Sequence, residues 1–364
     1  MTTPAVHAET PLPPAGHAPG AGRAATGPPE ERGLRRDDVR LLVATGDDVT
    51  HTRFTRIADH LRPGDLVVVN NSATVAGQLD GVSDRRGAVV VHLATPLDDG
   101  TWVVELRTAP DAGRPVLDAW PGERVRLGGA TLRLLAGYPH DGSSPTGSGN
   151  RLWRAEVHGD LRGQVERSGR PIAYGYLDRR YPLSTYQNVF STVPGSAEMP
   201  SAGRPFTGDV LAALVGRGVA TATVTLHTGV SSQEAGEGPQ PERFEVPEVT
   251  ARLVNATRAA GGRVVAVGTT VTRALETAVT PGGRVEAARG WTDRLVTPAA
   301  PPRVVTGLVT GWHDPEASHL LLVEAVAGAD LTERAYAAAT SGGYLWHEFG
   351  DSALLLPPLV AHPP

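Results

Sequence analysis

Residues 263–277 read RVVAVGTTVTRALET. The Val-Val-Ala-Val run after Arg263 is the β-branched, apolar kind that forms a strand, and 270–277 reads as a helix. Gly268, Thr269 and Thr270 make the turn between them. Strand, turn and helix in that order form the unit of an α/β domain. The alternation continues outward: 219–226, 304–310 and 320–323 read as strands, and 210–217, 248–260 and 331–340 as helices. Upstream, 35–43 ends in a strand-like run and 53–61 looks helical. A turn at 62–65 (RPGD) then leads into a short strand at 66–69. The texture between 77 and 164 is different. Candidate strands at 88–93, 102–106, 124–127, 130–135 and 152–157 are divided by Gly, Asp and Pro. That pattern suits a small β-barrel or sandwich, with the low-complexity loop 140–150 (HDGSSPTGSGN) on its surface. The predicted architecture is an α/β main domain at 34–75 and 166–360, interrupted by an all-β domain at 76–165. Residues 1–33, rich in Pro, Ala and Gly, read mostly as a mobile tail.

The composition limits the chemistry. The 364 residues are 40% hydrophobic and 20% charged, enough to bury a sizeable core. No cysteine is present, which excludes disulfides, thiolate nucleophiles and Cys-ligated metals. Lysine is absent too, so a lysine Schiff base is ruled out. The formal charge of -5 is unlike a dedicated nucleic-acid binder, although a net figure hides local Arg-rich faces. No apolar run approaches the roughly 20 residues of a membrane helix. The start lacks the basic-then-apolar pattern of a secretion signal, and a cytoplasmic location fits.

Taken singly, the segments carry no general motif: no P-loop, no GxGxxG between strand and helix, no HExxH, no GxSxG. Several blocks in one order do carry a resemblance. They are 62–79 (RPGDLVVVNNSATVAGQL), 186–207 (YQNVFSTVPGSAEMPSAGRPFT), Thr225-Leu226-His227 with Gly229, and 263–277. Thr292-Asp293 with Pro298, 308–328 (LVTGWHDPEASHLLLVEAVAG) and 344–356 (YLWHEFGDSALLL) complete the series. From about residue 35 to 356 the chain resembles the family of S-adenosylmethionine:tRNA ribosyltransferase-isomerases, the enzymes of queuosine synthesis.

The resemblance implies an α/β main domain with an inserted all-β barrel. It also implies that S-adenosylmethionine is the ribosyl donor, with no metal, and that tRNA is the partner. In that reaction the ribosyl group moves onto the aminomethyl group of a deazaguanine in tRNA, adenine and methionine leave, and an epoxy-cyclopentane-diol forms. The chemistry needs a base beside the sulfonium, donors for the departing adenine and a cradle for the methionine carboxylate. Two other readings are kept: a transferase using the same donor on another nucleobase or small-molecule acceptor, and an inactive scaffold binding nucleotide or RNA.

Candidate site residues follow from the blocks. His227, at a probable strand end, could act as acid, base or adenine donor, or tie its own loop. His313 is a site histidine or a turn residue, and Asp351 holds a ribose hydroxyl or caps a turn. These three are the expected catalytic residues. Gly268, Thr269 and Thr270 offer backbone N–H groups at a helix start, suited to a carboxylate or phosphate, unless a threonine merely caps the helix. Arg273 and Glu276 share a helix face and could pair, while the resemblance makes Arg273 a possible carboxylate fork. All five are expected donor-binding residues. Tyr186, Gln187 and Asn70 are the expected substrate contacts, a ring to stack and amides to read a base edge. Asp65 reads as a turn aspartate.

The chain also departs from the family pattern. Ala73 and Gln78 stand where the family usually has arginine, and Pro205 stands where it has histidine. Tyr174-Gly175-Tyr176 replaces a Pro-Pro-Tyr element, and 231–234 (SSQE) replaces a Gly-Thr-Phe stretch. A Met-His-x-Glu element is reduced to 239–242 (PQPE), and 310–313 (TGWH) stands in for Thr-Asn-Phe-His. Drift in the contacts with tRNA would produce such losses, and so would a change of acceptor.

Overall fold

Leu66–Asn70 and Val264–Val267 are buried along their whole length, as strands covered on both faces must be. In the computed structural model, which describes residues 23–46, 48–143, 147–231, 237–313 and 319–358, they lie at the centre of a nine-stranded sheet. Ala220–Leu226, Leu66–Asn70, Val264–Val267 and Gly307–Gly311 run parallel, side by side. Ser352–Leu356 is antiparallel to the last of these and parallel to Arg40–Thr45, which forms a hairpin with Asp48–Arg53. On the other edge Glu242–Val246 and Ala288–Thr292 add antiparallel strands. Helices Glu248–Ala259, Thr269–Thr277, His319–Ala327 and Ala329–Ser341 bury apolar residues against one face. Helix Gly208–Gly216 and the 3-10 turn Phe54–His60 cover the other.

Between the strands Leu66–Asn70 and Ala220–Leu226 the chain leaves the sheet and closes a six-stranded antiparallel barrel. Its strands are Gln78–Ser83, Gly87–Pro96, Trp102–Thr108, Arg124–Arg126, Ala130–Gly137 and Leu152–Gly159. Leu79, Val91, Leu106, Leu132 and Trp153 fill it. The barrel, not the sandwich, is the outcome, because every strand including the short Arg124–Arg126 has two neighbours, which leaves no edge.

Two expectations need correction. Residues 320–323 (LLLV) are not a strand but part of the helix His319–Ala327, nearly all of it buried. A short apolar run carries no period that separates a buried strand from a buried helix. Of the expected tail, 1–22 lie outside the described residues, but 23–33 is packed. Arg23–Ala24 pairs with Leu345–Trp346, Ala25 is buried and Glu30 binds Arg204.

Two buried carboxylates hold the elements that frame the sheet edge. Asp351 accepts from the Arg40 backbone N–H (2.8 Å), from Arg40 Nε and Nη2 (3.0 and 2.7 Å), and from the Leu345 N–H (2.8 Å). It therefore clamps the loop between Leu345–Trp346 and Ser352–Leu356. Glu276 does not pair with Arg273. Its oxygens accept the backbone N–H groups of Arg303, Val304 and Val305 at 2.8, 2.9 and 3.0 Å. Those groups lie just before Gly307–Gly311 and have no strand partner of their own, so the carboxylate supplies one.

Glu276→Ala should cost about 3 kcal/mol, since it leaves three N–H groups unpaired in a buried setting. Chemical denaturation reads this directly, and a midpoint equal to wild type would refute the assignment. Asp351→Asn should lose about 2 kcal/mol, because its amide N–H₂ would face donors that now meet a carboxylate. A thermal midpoint unchanged from wild type would count against the clamp.

Candidate active site

Open α/β sheets bind ligands beyond the carboxyl ends of their parallel strands. Here a cleft of about 510 Å³ lies at that edge. Residues 267–270 leave the strand Val264–Val267, 310–313 leave Gly307–Gly311, and 228–231 follow Ala220–Leu226; all line the cleft. The opposite wall is built from 174–176 and 197–202, and the barrel contributes Arg107 and Gly113.

The floor is the turn into helix Thr269–Thr277. Gly268 has φ +91°, a left-handed conformation that favours glycine. No side chain caps this helix, so neither threonine serves as an N-cap and the first N–H groups face the cleft uncapped. One turn later Arg273 is buried. It makes an ion pair with Glu242 and donates to the carbonyls of Gln240 (3.0 Å), Thr292 (3.2 Å) and Arg294 (3.1 Å). Its fork is thus directed into the protein. Arg294, which also lines the cleft, has a buried Nε with no partner.

Three carboxylates reach the cleft. Burial pushes Glu242 up, while Arg273 and the Gly229 N–H (3.1 Å) pull it back. Glu198 accepts from the Tyr174 hydroxyl and from the Ser231 N–H (2.9 Å) and hydroxyl. Glu348 accepts from the Tyr176 hydroxyl, and burial pushes it up to about 7. Tyr176 stacks on His347 with centroids 4.5 Å apart and planes within 15°, and Tyr174 lies beside it at 6.2 Å. His347 has φ +69°, an uncommon conformation for a non-glycine residue. On the far wall His313 stacks parallel to His319 at 4.7 Å and meets Thr310 Oγ1 at 3.2 Å. Burial lowers both, His319 to about 4, so both stay neutral at pH 7.

Of the residues expected from sequence, the fold brings Gly268, Thr269, Thr270, Arg273, Tyr186 and His313 to the cleft. Tyr186 is buried with its hydroxyl unpartnered. His227, Asp351, Glu276, Gln187 and Asn70 are not among the lining residues. His227 Nδ1 meets Ser72 Oγ at 2.7 Å, and Ser72 meets Ser196 at 2.6 Å, so the ring ties adjacent segments together. Gln187 bonds the N–H and C=O of Thr74 at 3.1 and 2.8 Å, as a strand would. Asn70 bonds both backbone groups of Leu226 and the Ser72 N–H. Asp65 holds Arg62 and Arg263 N–H groups, the turn role expected of it. Residues 314–318 of the 308–328 block, and 232–234 of SSQE, lie outside the described residues.

Glu198, His319, Arg294 and Glu348 also line the cleft and were not singled out from sequence, and Tyr176 was noted there only as part of the altered Pro-Pro-Tyr element. Glu198 and Glu348 stand inside blocks that carried the resemblance, so the signal was position in a block. No local pattern distinguishes a carboxylate buried without a cation from a solvated one. Ala73 is buried, and Gln78 bonds His92 at 3.2 Å inside the barrel mouth, so neither vacated arginine position faces solvent. No helix among the described residues is long and apolar enough to cross a membrane.

Residues 21–355 match the family described as queuosine biosynthesis protein. The S-adenosylmethionine:tRNA ribosyltransferase-isomerase of Acidiphilium cryptum is 37% identical over 347 residues, covering 90% of this chain and 96% of the relative. That of Gloeobacter violaceus is 35% identical over 330 residues, covering 88% and 90%. The crystal structure of an S-adenosylmethionine tRNA ribosyltransferase from Thermotoga maritima aligns over 94% of this chain and 99% of that one, at 26% identity and a TM-score of 0.48. Matches of this length to relatives named in sequence take in both the barrel and the sheet edge where the cleft lies, and the chain belongs to the queuosine biosynthesis protein family.

Proposed function

We propose that this chain moves and isomerises the ribosyl group of S-adenosylmethionine onto 7-aminomethyl-7-deazaguanine in tRNA, giving epoxyqueuosine. The observation that carries the reading is a cleft at the strand ends that combines an uncapped helix start, a stacked aromatic wall and desolvated acids, in a chain of this family. Each part answers a need of the reaction. The N–H groups at Thr269 and Thr270, with the guanidinium of Arg294, suit the methionine carboxylate. The Tyr176–His347 face offers a surface on which a purine-like base can stack. Neutral His313 and His319 can give or accept a hydrogen bond at adenine without adding charge.

Three unpartnered donors among the lining residues, Tyr186 Oη, Arg294 Nε and Trp312 Nε1, support a polar occupant, because buried polar groups are normally bonded. The names of the relatives, ribosyltransferase-isomerases over nearly their whole length, argue against an inactive scaffold. A different acceptor is not favoured either. Ala73 is buried and Gln78 is bonded to His92, so the cations missing there are not lost from the cleft, which keeps Arg294 in its lining. Relatives sharing about a third of their residues over nearly their whole length carry the tRNA-modifying name. A cytoplasmic location goes with a tRNA substrate.

Calorimetric titration with S-adenosylmethionine, alone and with tRNA bearing the deazaguanine, should give saturable binding. The tRNA mixture should release adenine. Arg294→Ala should weaken donor binding about tenfold, a loss of ~1.4 kcal/mol. His227→Ala, outside the cleft, should leave it within about threefold, since only contacts in the site add to affinity. Absence of adenine release by the wild type with both substrates present would overturn the proposal.

A further inference from the structure

We propose that Glu348 is the base that takes the proton from the ribose carbon bonded to the sulfonium sulfur, with the Tyr176 hydroxyl positioning its carboxylate; this rests on the ribosyl transfer proposed above. The assignment comes from comparing the three carboxylates at the cleft. Glu242 is in a buried ion pair with Arg273 and also accepts the Gly229 N–H. Glu198 is held by three donors, from Tyr174 and Ser231. Such bonds occupy the carboxylate lone pairs and leave fewer of them open to a substrate proton. Glu348 is held by the Tyr176 hydroxyl and its own backbone N–H, and among the described residues it has no ion pair.

Its surroundings keep it basic. Besides Tyr176, the ionisable groups nearest to it are the Glu198 carboxylate, Tyr186 and the adjacent His347. Arg36 and Arg204 line a small recess on its other side, but both are committed to Glu30, at 3.5 and 3.0 Å. Arg36 also bonds the Gln187 carbonyl, and Arg204 that of Thr185. Burial without a cation is what raises the carboxyl to about 7, where a general base works best at neutral pH. The two stacked histidines are poorer bases, because burial holds their conjugate acids low. The backbone fixes the position: the left-handed His347 and the Asp351–Arg40 clamp aim the loop at the cleft.

The step balances without any further reagent. Glu348 forms an O–H bond as the C–H bond breaks, and the electron pair stays on the carbon next to the positive sulfur. Tyr176 keeps its proton and its hydrogen bond throughout. The proton on Glu348 passes to water after the products leave.

The test is single-turnover adenine release across roughly pH 5 to 9, with SAM and modified tRNA saturating. The wild-type rate should rise through pH about 7, because the carboxylate is the active form. Glu348→Gln should lose roughly a thousandfold in rate while binding S-adenosylmethionine within about threefold. Glu348→Asp should keep the rising limb at a lower plateau. Tyr176→Phe removes a donor to the charged form, so its limb should move to higher pH. Folding is controlled independently. The folded-state value lies above the ordinary 4.5, so the stability linked to the protonated carboxyl is full below 4.5 and lost as pH rises through about 7. Glu348→Gln should therefore melt no lower than wild type at high pH. A folded Glu348→Gln protein within tenfold of the wild-type rate overturns the base assignment alone. A wild type that releases no adenine overturns the ribosyl-transfer reading and this assignment with it.

Discussion

The ion pair between Arg273 and Glu242 is the contact on which the cleft depends. Arg273 belongs to the helix after the central strand Val264–Val267, and Glu242 begins the antiparallel strand Glu242–Val246. The same guanidinium binds three carbonyls on neighbouring segments, so one side chain joins the parallel core to its antiparallel extension. Removing one partner of such a buried pair typically costs 3–5 kcal/mol, because the other is left charged and unpaired. The pair also sets the electrostatics of the floor. It neutralises one acid internally, while Arg294 lines the cleft with its Nε unpartnered.

A second buried network ties the barrel to this floor. Glu105 is fully buried, and burial alone would raise its carboxyl. His92, Arg151 and Arg107 surround it and instead hold it down at about 2. Arg107 is thereby fixed where it reaches the cleft, with its guanidinium 5.6 Å from the Tyr174 ring. Arg151 extends the network to Glu237 at 2.5 Å. The inserted barrel is thus a wall of the site. It presents Arg107, held by Glu105, beside the Tyr174 ring.

The elements were legible where local chemistry decides them. The run of valines before Gly268 and the helix after it, and the closely spaced turns of the barrel, are local signals and appear as expected. The run at 320–323 failed because burial on all sides erases periodicity. The site was half legible for a related reason. Gly268, Thr270 and His313 sit at strand ends, where topology alone brings residues together. His227, Gln187, Asn70, Glu276 and Asp351 occupy the right blocks, but backbone or hydroxyl groups far away in sequence consume their polar atoms, 311 residues away for Asp351 with Arg40. Glu348 was illegible because a missing counter-ion is a property of the assembled fold.

The most direct measurement is a crystal structure of the protein with S-adenosylmethionine bound. The methionine carboxylate should lie at the Gly268–Thr270 turn beside Arg294, and the sulfonium-bearing ribose carbon within reach of Glu348. The donor bound elsewhere, or bound there with its sulfonium directed away from Glu348 and the Tyr176 wall, would contradict it.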